Sequence, residues 1–323
     1  MKNIQADIKS GNFKQVYLLY GEEAYLKQQY KQNLVKALNP DGDTMNFNHY
    51  EGKGIDVKQL IDLCETMPFF AERRVVLLED TGFFKNKCEE LADYMKELPD
   101  YLYLVFAETE VDKRNRMYKA VKACGSIAEF IRQDEKTLMR WAAGILGKAG
   151  KKITQRDMEL LLTKTGTDMG NLRMEMEKLI SYTEGRDVVT AEDIEEICTT
   201  QTTNRIFDMV RAVTEKNQKR ALELYYDLLT LKEPPMRILF LLAKQYRQLL
   251  LAKQFAAAGL AQTEIASKLG VPGFVVRNIT TCARAYTISE LEQAVKDFVD
   301  AEESVKTGRL EDKLLSLIHI SEP

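Results

Sequence analysis

A chain of 323 residues, 45% hydrophobic and 29% charged, is long enough for two or three domains, each with its own core, and is neither a disordered tail nor a fibre. Its net charge of −3 and pI of about 5.8 exclude a protein that wraps nucleic acid unaided, because neutralising phosphates takes a basic surface. Five cysteines (Cys64, Cys88, Cys124, Cys198, Cys282) without a C-x-x-C, and two histidines (His49, His319), leave no disulfide framework, no zinc site and no Ser-His or Cys-His mechanism to expect.

Residues 1 to 135 alternate apolar runs with helical patterns, the signature of a parallel sheet covered by helices. Strands are expected at Gln15–Tyr20, Met45–Tyr50, Arg74–Glu79, Tyr101–Ala107 and Ile127–Ile131. Helices are expected near Tyr25–Leu38, Val57–Met67, Cys88–Leu98 and Arg116–Ala123.

The first strand runs into Gly21 as a nucleotide-binding loop would, and the loop is then not completed. A P-loop reads G-x-x-x-x-G-K-[ST]: its glycines let backbone N–H groups surround the phosphates, its Lys reaches their oxygens and its hydroxyl holds Mg²⁺. Counted from Gly21, Leu26 replaces the second glycine and Gln28 the hydroxyl, and only Lys27 is in register. A branched Leu26 beside Glu22 and Glu23 would crowd the phosphates and oppose their charge. The run Val75–Asp80 invites a Walker B reading, but without a phosphate loop opposite it has no Mg²⁺ to hold, and an acid at the end of a buried strand is the simpler expectation.

From Asp134 onward the pattern is wholly helical. Helix starts are expected at Asp134, Thr154, Asp168 and Thr190, with stops at Gly150, Gly166 and Gly185. A second helical block starts near Thr202, passes Pro234-Pro235 at the head of the apolar stretch Met236–Gly259, and ends in Ser289–Lys306 with Thr287 and Glu290 as a capping box. That apolar stretch is interrupted by Lys244, Gln245, Arg247 and Gln248 and no N-terminal apolar region occurs, so a cytoplasmic protein without a signal peptide or membrane span is expected. Gln262–Arg284 fits a helix-turn-helix with Ala266 at the crossing, Gly270 at the turn and Val276 on the apolar face. Its second helix, Phe274–Thr280, carries one charge, whereas a groove-reading helix shows several Arg, Lys, Asn or Gln on one face, so a structural hairpin is favoured.

The motifs in order are Val16–Tyr30, Met67–Asp80, Val111–Lys119, Asn171–Tyr182, Ile206–Val213 and Lys306–Leu314. As an ordered set they resemble the delta-subunit family of bacterial DNA polymerase III, over about residues 14 to 314. The resemblance implies a fold of α/β plus all-α class: an AAA+-like parallel-sheet domain with a degenerate P-loop (1–135), a small helical lid (136–200) and a helical collar for assembly (201–314). It implies a sliding-clamp loader subunit that grips the ring-shaped clamp (beta) and opens one interface, while neighbouring subunits hydrolyse ATP. The implied partners are the clamp, the gamma/tau ATPase subunits, delta prime and, through the assembled complex, primed DNA. No catalytic residue, cofactor or metal of its own is implied.

The family's gripping element is a short apolar segment after a helix of the first domain, which falls here on Glu65-Thr66-Met67-Pro68-Phe69-Phe70. Met67, Pro68, Phe69 and Phe70 are therefore the expected clamp-binding residues. The sequence departs from the family pattern with Glu65 where Gln is typical, Pro68 where Ser is frequent and Phe69 where Leu is common. From residue type alone, paired aromatics ahead of a strand read as core, so the resemblance reverses the expectation.

The sequence also allows two rival functions: a working AAA+ ATPase, which needs Leu26 and Gln28 to be tolerated in the phosphate loop, and a helix-turn-helix DNA-binding regulator. Residues 315 to 323 read as translated sequencing-library adapter, so a non-native tail is expected there.

Overall fold

The computed structural model describes residues 2–199, 202–271, 273–307 and 309, so the tail expected to be foreign lies outside the described residues. The chain forms two compact units, which divide between Gln133 and Asp134.

The first unit is built on a five-stranded, all-parallel sheet of order β2-β3-β4-β1-β5. Its strands are β1 (Val16–Tyr20), β2 (Phe47–Glu51), β3 (Arg74–Glu79), β4 (Leu102–Glu108) and β5 (Ser126–Glu129). Helices α1 (Lys2–Ser10), α2 (Ala24–Leu38), α3 (Val57–Glu65), α4 (Glu89–Tyr94) and α5 (Arg116–Cys124) complete the unit. Side chains alternate across the sheet. Val16, Leu18, Val76, Leu78, Leu104 and Phe106 join Leu60, Leu91, Met117 and Val121 in one apolar layer, while Tyr17, Leu19, Val75, Leu77 and Val105 join Ile4, Leu34 and Leu38 in another. Burial on both faces is why the central strands read as near-continuous apolar runs, and a five-stranded parallel sheet covered by helices is the AAA+-like class of fold that the resemblance implied.

Two local expectations shift. Helix α1 lacked a recognisable signal and was not expected. Helix α4 is shorter than the Cys88–Leu98 pattern, because Lys96 and Glu97 already close i→i+3 turns onto Asp93 and Tyr94.

The second unit opens with α6 (Glu135–Lys148), α7 (Gln155–Thr165), α8 (Met169–Tyr182) and α9 (Ala191–Ile197). Asp134, Thr154, Asp168 and Thr190 each accept a backbone N–H at the start of one of these helices, as their residue types predict. The unit is not wholly helical, however. Lys152–Ile153 (β6) pairs in parallel with Val188–Val189 (β7). Each strand is two residues long, too short for an alternating pattern, and the partners lie far apart in sequence, so nothing local announces the pairing.

The remaining helices are α10 (Thr202–Thr214), α11 (Gln218–Thr230), α12 (Pro235–Ala257), α13 (Gln262–Leu269), α14 (Gly273–Ala283) and α15 (Ile288–Lys306). One apolar cluster lies within α6 to α9 and a second, larger one within α10 to α15. Pro235 starts α12, and the Thr287/Glu290 capping box starts α15. Among the described residues no helix is long and apolar enough to cross a membrane.

Candidate functional site

In open parallel sheets ligands bind beyond the carboxyl ends of the strands, so the turns after β1, β3 and β4 are where a nucleotide would sit. Here they are occupied by the chain itself. Gly21 has φ +124°, and a Cβ on it would lie 2.3 Å from the Phe130 carbonyl oxygen. Phe130 N–H donates to the Tyr20 carbonyl at 2.7 Å, and Glu23 N–H donates to the Phe130 carbonyl at 3.0 Å. The glycine thus serves close packing against the segment after β5. An amide that a phosphate loop would leave open is committed to protein.

The other loop positions do not converge on a ligand. Leu26 packs against the apolar layer of α1 and α2, and Gln28 is exposed. Lys27 Nζ donates to the Glu108 carbonyl at 2.9 Å, and burial lowers its pKa despite the nearby Asp80, Glu108 and Glu79 carboxylates. The acids after β3 are engaged as well: Glu79 pairs with Lys31 at 2.6 Å and with His49 Nε2 at 2.9 Å, while Asp80 accepts from Thr109 N–H and Oγ1 at 2.9 and 2.8 Å. Glu108 is buried and accepts from the N–H groups of Thr81 and Gly82 and from Thr81 Oγ1. Among the described residues no group of three or more His, Cys, Asp or Glu is arranged to hold a metal ion.

The segment after α3 has the opposite character. Met67, Phe69 and Phe70 are 75%, 59% and 94% exposed, so the reading of the aromatic pair as core, which residue type alone favoured, does not hold. The two rings meet edge to face with centroids 4.5 Å apart. Phe70 has φ +48°, a left-handed conformation that costs a bulky residue about 1–3 kcal/mol unless its surroundings impose it.

Two buried polar side chains hold the backbone of this exposed loop. Arg74, the first residue of β3, donates from Nε to the Thr66 carbonyl at 2.8 Å and from Nη2 to the Met67 carbonyl at 3.2 Å. Asn46, next to β2, accepts from Phe69 N–H at 2.6 Å and donates from Nδ2 to the Phe69 carbonyl at 2.9 Å. Tyr101 Oη donates to the Glu65 carbonyl at 2.8 Å and secures the end of α3. Arg74 and Asn46 lay inside expected strands and were not singled out from sequence. The available signal was an arginine opening an otherwise apolar, buried strand.

The helix-turn-helix pattern is realised as α13 and α14, with Gly270 left-handed at φ +64° and Val276 and Ile279 buried. Arg277, the one charge read on the second helix, lies 3.6 Å from Glu159 of α7. The buried side chains of the hairpin join the apolar cluster of α10 to α15.

Fold and site together define an AAA+-like module in which the loop after β1 is engaged by the chain itself and an apolar loop after α3 is exposed. Two family models match the sequence: "DNA polymerase III, delta subunit" over residues 17–130 and "DNA polymerase III delta subunit, C-terminal domain" over residues 203–321, the latter running into the stretch read as foreign. The chain belongs to the DNA polymerase III delta-subunit family. It is 26% identical to DNA polymerase III subunit delta of Bacillus subtilis, with 97% of this chain and 94% of the relative covered. It is 22% identical to a probable DNA polymerase III subunit delta of Aquifex aeolicus, with 79% and 75% covered. A solved Bacillus subtilis DNA clamp loader delta protein shares the fold, with TM-score 0.66, 24% identity, and 99% of this chain and 98% of that chain covered.

Proposed function

We propose that this chain is the clamp-gripping subunit of a replicative clamp loader, acting in the cytoplasm by binding and without ATP hydrolysis of its own. Met67, Pro68, Phe69 and Phe70 enter an apolar pocket on the sliding clamp, and engagement of the loop opens one interface of the ring. Residues 1–135 carry this contact, residues 136–200 form the lid, and residues 201–314 form the collar that assembles with gamma/tau and delta prime. Primed DNA is met through the assembled complex.

The exposure of Met67, Phe69 and Phe70 on a loop anchored from beneath is the observation that carries this reading. Exposed apolar side chains grouped on a held loop are poised for a partner, and burying each ring contributes about 1.5–3 kcal/mol. Aromatic anchors of this kind commonly dominate an interface. The same family's solved relative is described as a clamp loader delta protein, which supports the choice of partner.

The test is to mix the purified chain with the sliding clamp of the same organism and resolve the mixture by size-exclusion chromatography with light scattering. A complex that disappears for Phe69→Ala, Phe70→Ala is expected. Absence of a complex with the unaltered chain would reject the proposal.

A further inference from the structure

Asn46 and Arg74 are more committed to the Met67–Phe70 loop than packing of the core requires. Asn46 is 3% exposed and its amide meets both backbone polar groups of Phe69, as a neighbouring strand would. Its side-chain orientation is set by Asp43, whose Oδ2 accepts from Asn46 Nδ2 at 2.5 Å, and the main-chain carbonyl of Asn46 accepts from Val75 N–H at 2.9 Å, which ties it to β3. Arg74 is 5% exposed, and among the described residues it forms no ion pair. Its guanidinium is spent on the carbonyls of Thr66 and Met67 and on Asn48 Oδ1. A buried cation held by neutral oxygens is expensive to keep, and two of its three partners are the carbonyls of Thr66, which caps α3, and Met67, which opens the loop.

The loop needs such restraint. Phe70 is 94% exposed and left-handed, so its own side-chain packing does not impose that conformation, and a free segment would relax toward extended backbone.

Building on the reading of this loop as the clamp-docking element, we infer that Asn46 and Arg74 are positioning residues that fix it in its docking conformation before the partner arrives. They also restrict how the partner recognises it. Strand addition requires free N–H and C=O groups, and both groups of Phe69 and the carbonyl of Met67 are already taken. The clamp is therefore met by the apolar side chains of Met67, Pro68, Phe69 and Phe70, in a pocket and not by strand addition along the Phe69 backbone.

A preformed loop spares the complex the ordering cost of binding, which for a few immobilised groups is worth on the order of tenfold in affinity. The experiment is a cycle on the full chain: wild type, Asn46→Ala, Phe69→Ala with Phe70→Ala, and all three changes together. Clamp affinity is measured for each, with amide hydrogen exchange over residues 66–71. Asn46→Ala is expected to lose about tenfold in affinity and to exchange faster across the loop. In the background lacking both rings it is expected to cause no further loss, because it acts through them.

Wild-type affinity for Asn46→Ala with accelerated loop exchange would overturn the positioning role. So would an equal loss in both backgrounds, which is what general destabilisation produces. If Asn46→Ala does not fold, Asn46→Ser replaces it in the same cycle; its hydroxyl is too short to bridge both groups of Phe69, and the same outcomes decide. Failure of the docking reading itself looks different: the chain lacking both rings would then bind as the wild type does.

Discussion

Gly21 and Phe130 approach so closely that a single added carbon on the glycine would sit 2.3 Å from the phenylalanine's carbonyl oxygen. The contact closes the corner where a related fold would hold phosphate, and it turns a motif residue into a packing residue.

Replacing Gly21 with Ala should therefore destabilise the first unit by at least about 2 kcal/mol, because the new methyl meets backbone and the site has positive φ. Thermal unfolding followed by circular dichroism measures it as a fall of several degrees. An unchanged melting temperature would mean that the segment at Phe130 yields easily and that the corner is not closed.

No saturable heat is expected when ATP or ADP with Mg²⁺ is titrated into the chain by isothermal calorimetry. Leu26 and Gln28 remove the phosphate and Mg²⁺ ligands, and the Glu23 amide and Lys27 are already engaged within the chain. The pair of changes Leu26→Gly and Gln28→Thr should not restore binding, since Phe130 stays in place. A micromolar isotherm in the wild type that Lys27→Ala abolishes would contradict the closed corner.

Burial is the main influence on Glu108 and pushes its carboxyl above the ordinary 4.5, with the Asp80 charge adding to it, against the hydrogen bonds from Thr81 and Gly82. A raised carboxyl binds its proton more tightly in the folded chain than in the unfolded one. Stability conferred at this position is thus fully present at low pH and falls as pH rises from about 4.5 through the folded value. Urea melts of wild type and Glu108→Gln, compared from pH 4.5 upward, should show wild type losing ground to the variant and then levelling off. A difference that moves in favour of wild type with rising pH would show a depressed carboxylate instead.

Helix starts at Asp134, Thr154, Asp168 and Thr190 were legible because capping is local chemistry: a short polar side chain, an orphan N–H, and an apolar pattern beginning just after. The interior strands were legible because burial on both faces leaves unbroken apolar runs. What escaped depends on distance in the chain. The β6–β7 pair joins residues on either side of α7 and α8, and the reason for Gly21 lies at Phe130. The loop was marked by family resemblance and not by residue type, since by residue type alone Phe69-Phe70 reads as core. Its anchors were invisible because Asn46 and Arg74 sit within strand-like runs and reach the loop only once β2 and β3 are paired.

The central claim is that the chain grips its partner through an exposed aromatic pair, and one double variant tests it most directly. Phe69→Ala with Phe70→Ala should weaken clamp binding by a few kcal/mol, on the order of a hundredfold or more, while Glu65→Gln leaves affinity equal or better. Since both rings are largely exposed, the melting temperature should stay within about a degree of wild type, whereas losing buried aromatics would cost about 3–5 kcal/mol each. Clamp affinity and melting temperature measured on the same double variant decide the matter: weak binding by a stable protein is the outcome expected, and normal binding by a destabilised one would contradict the account.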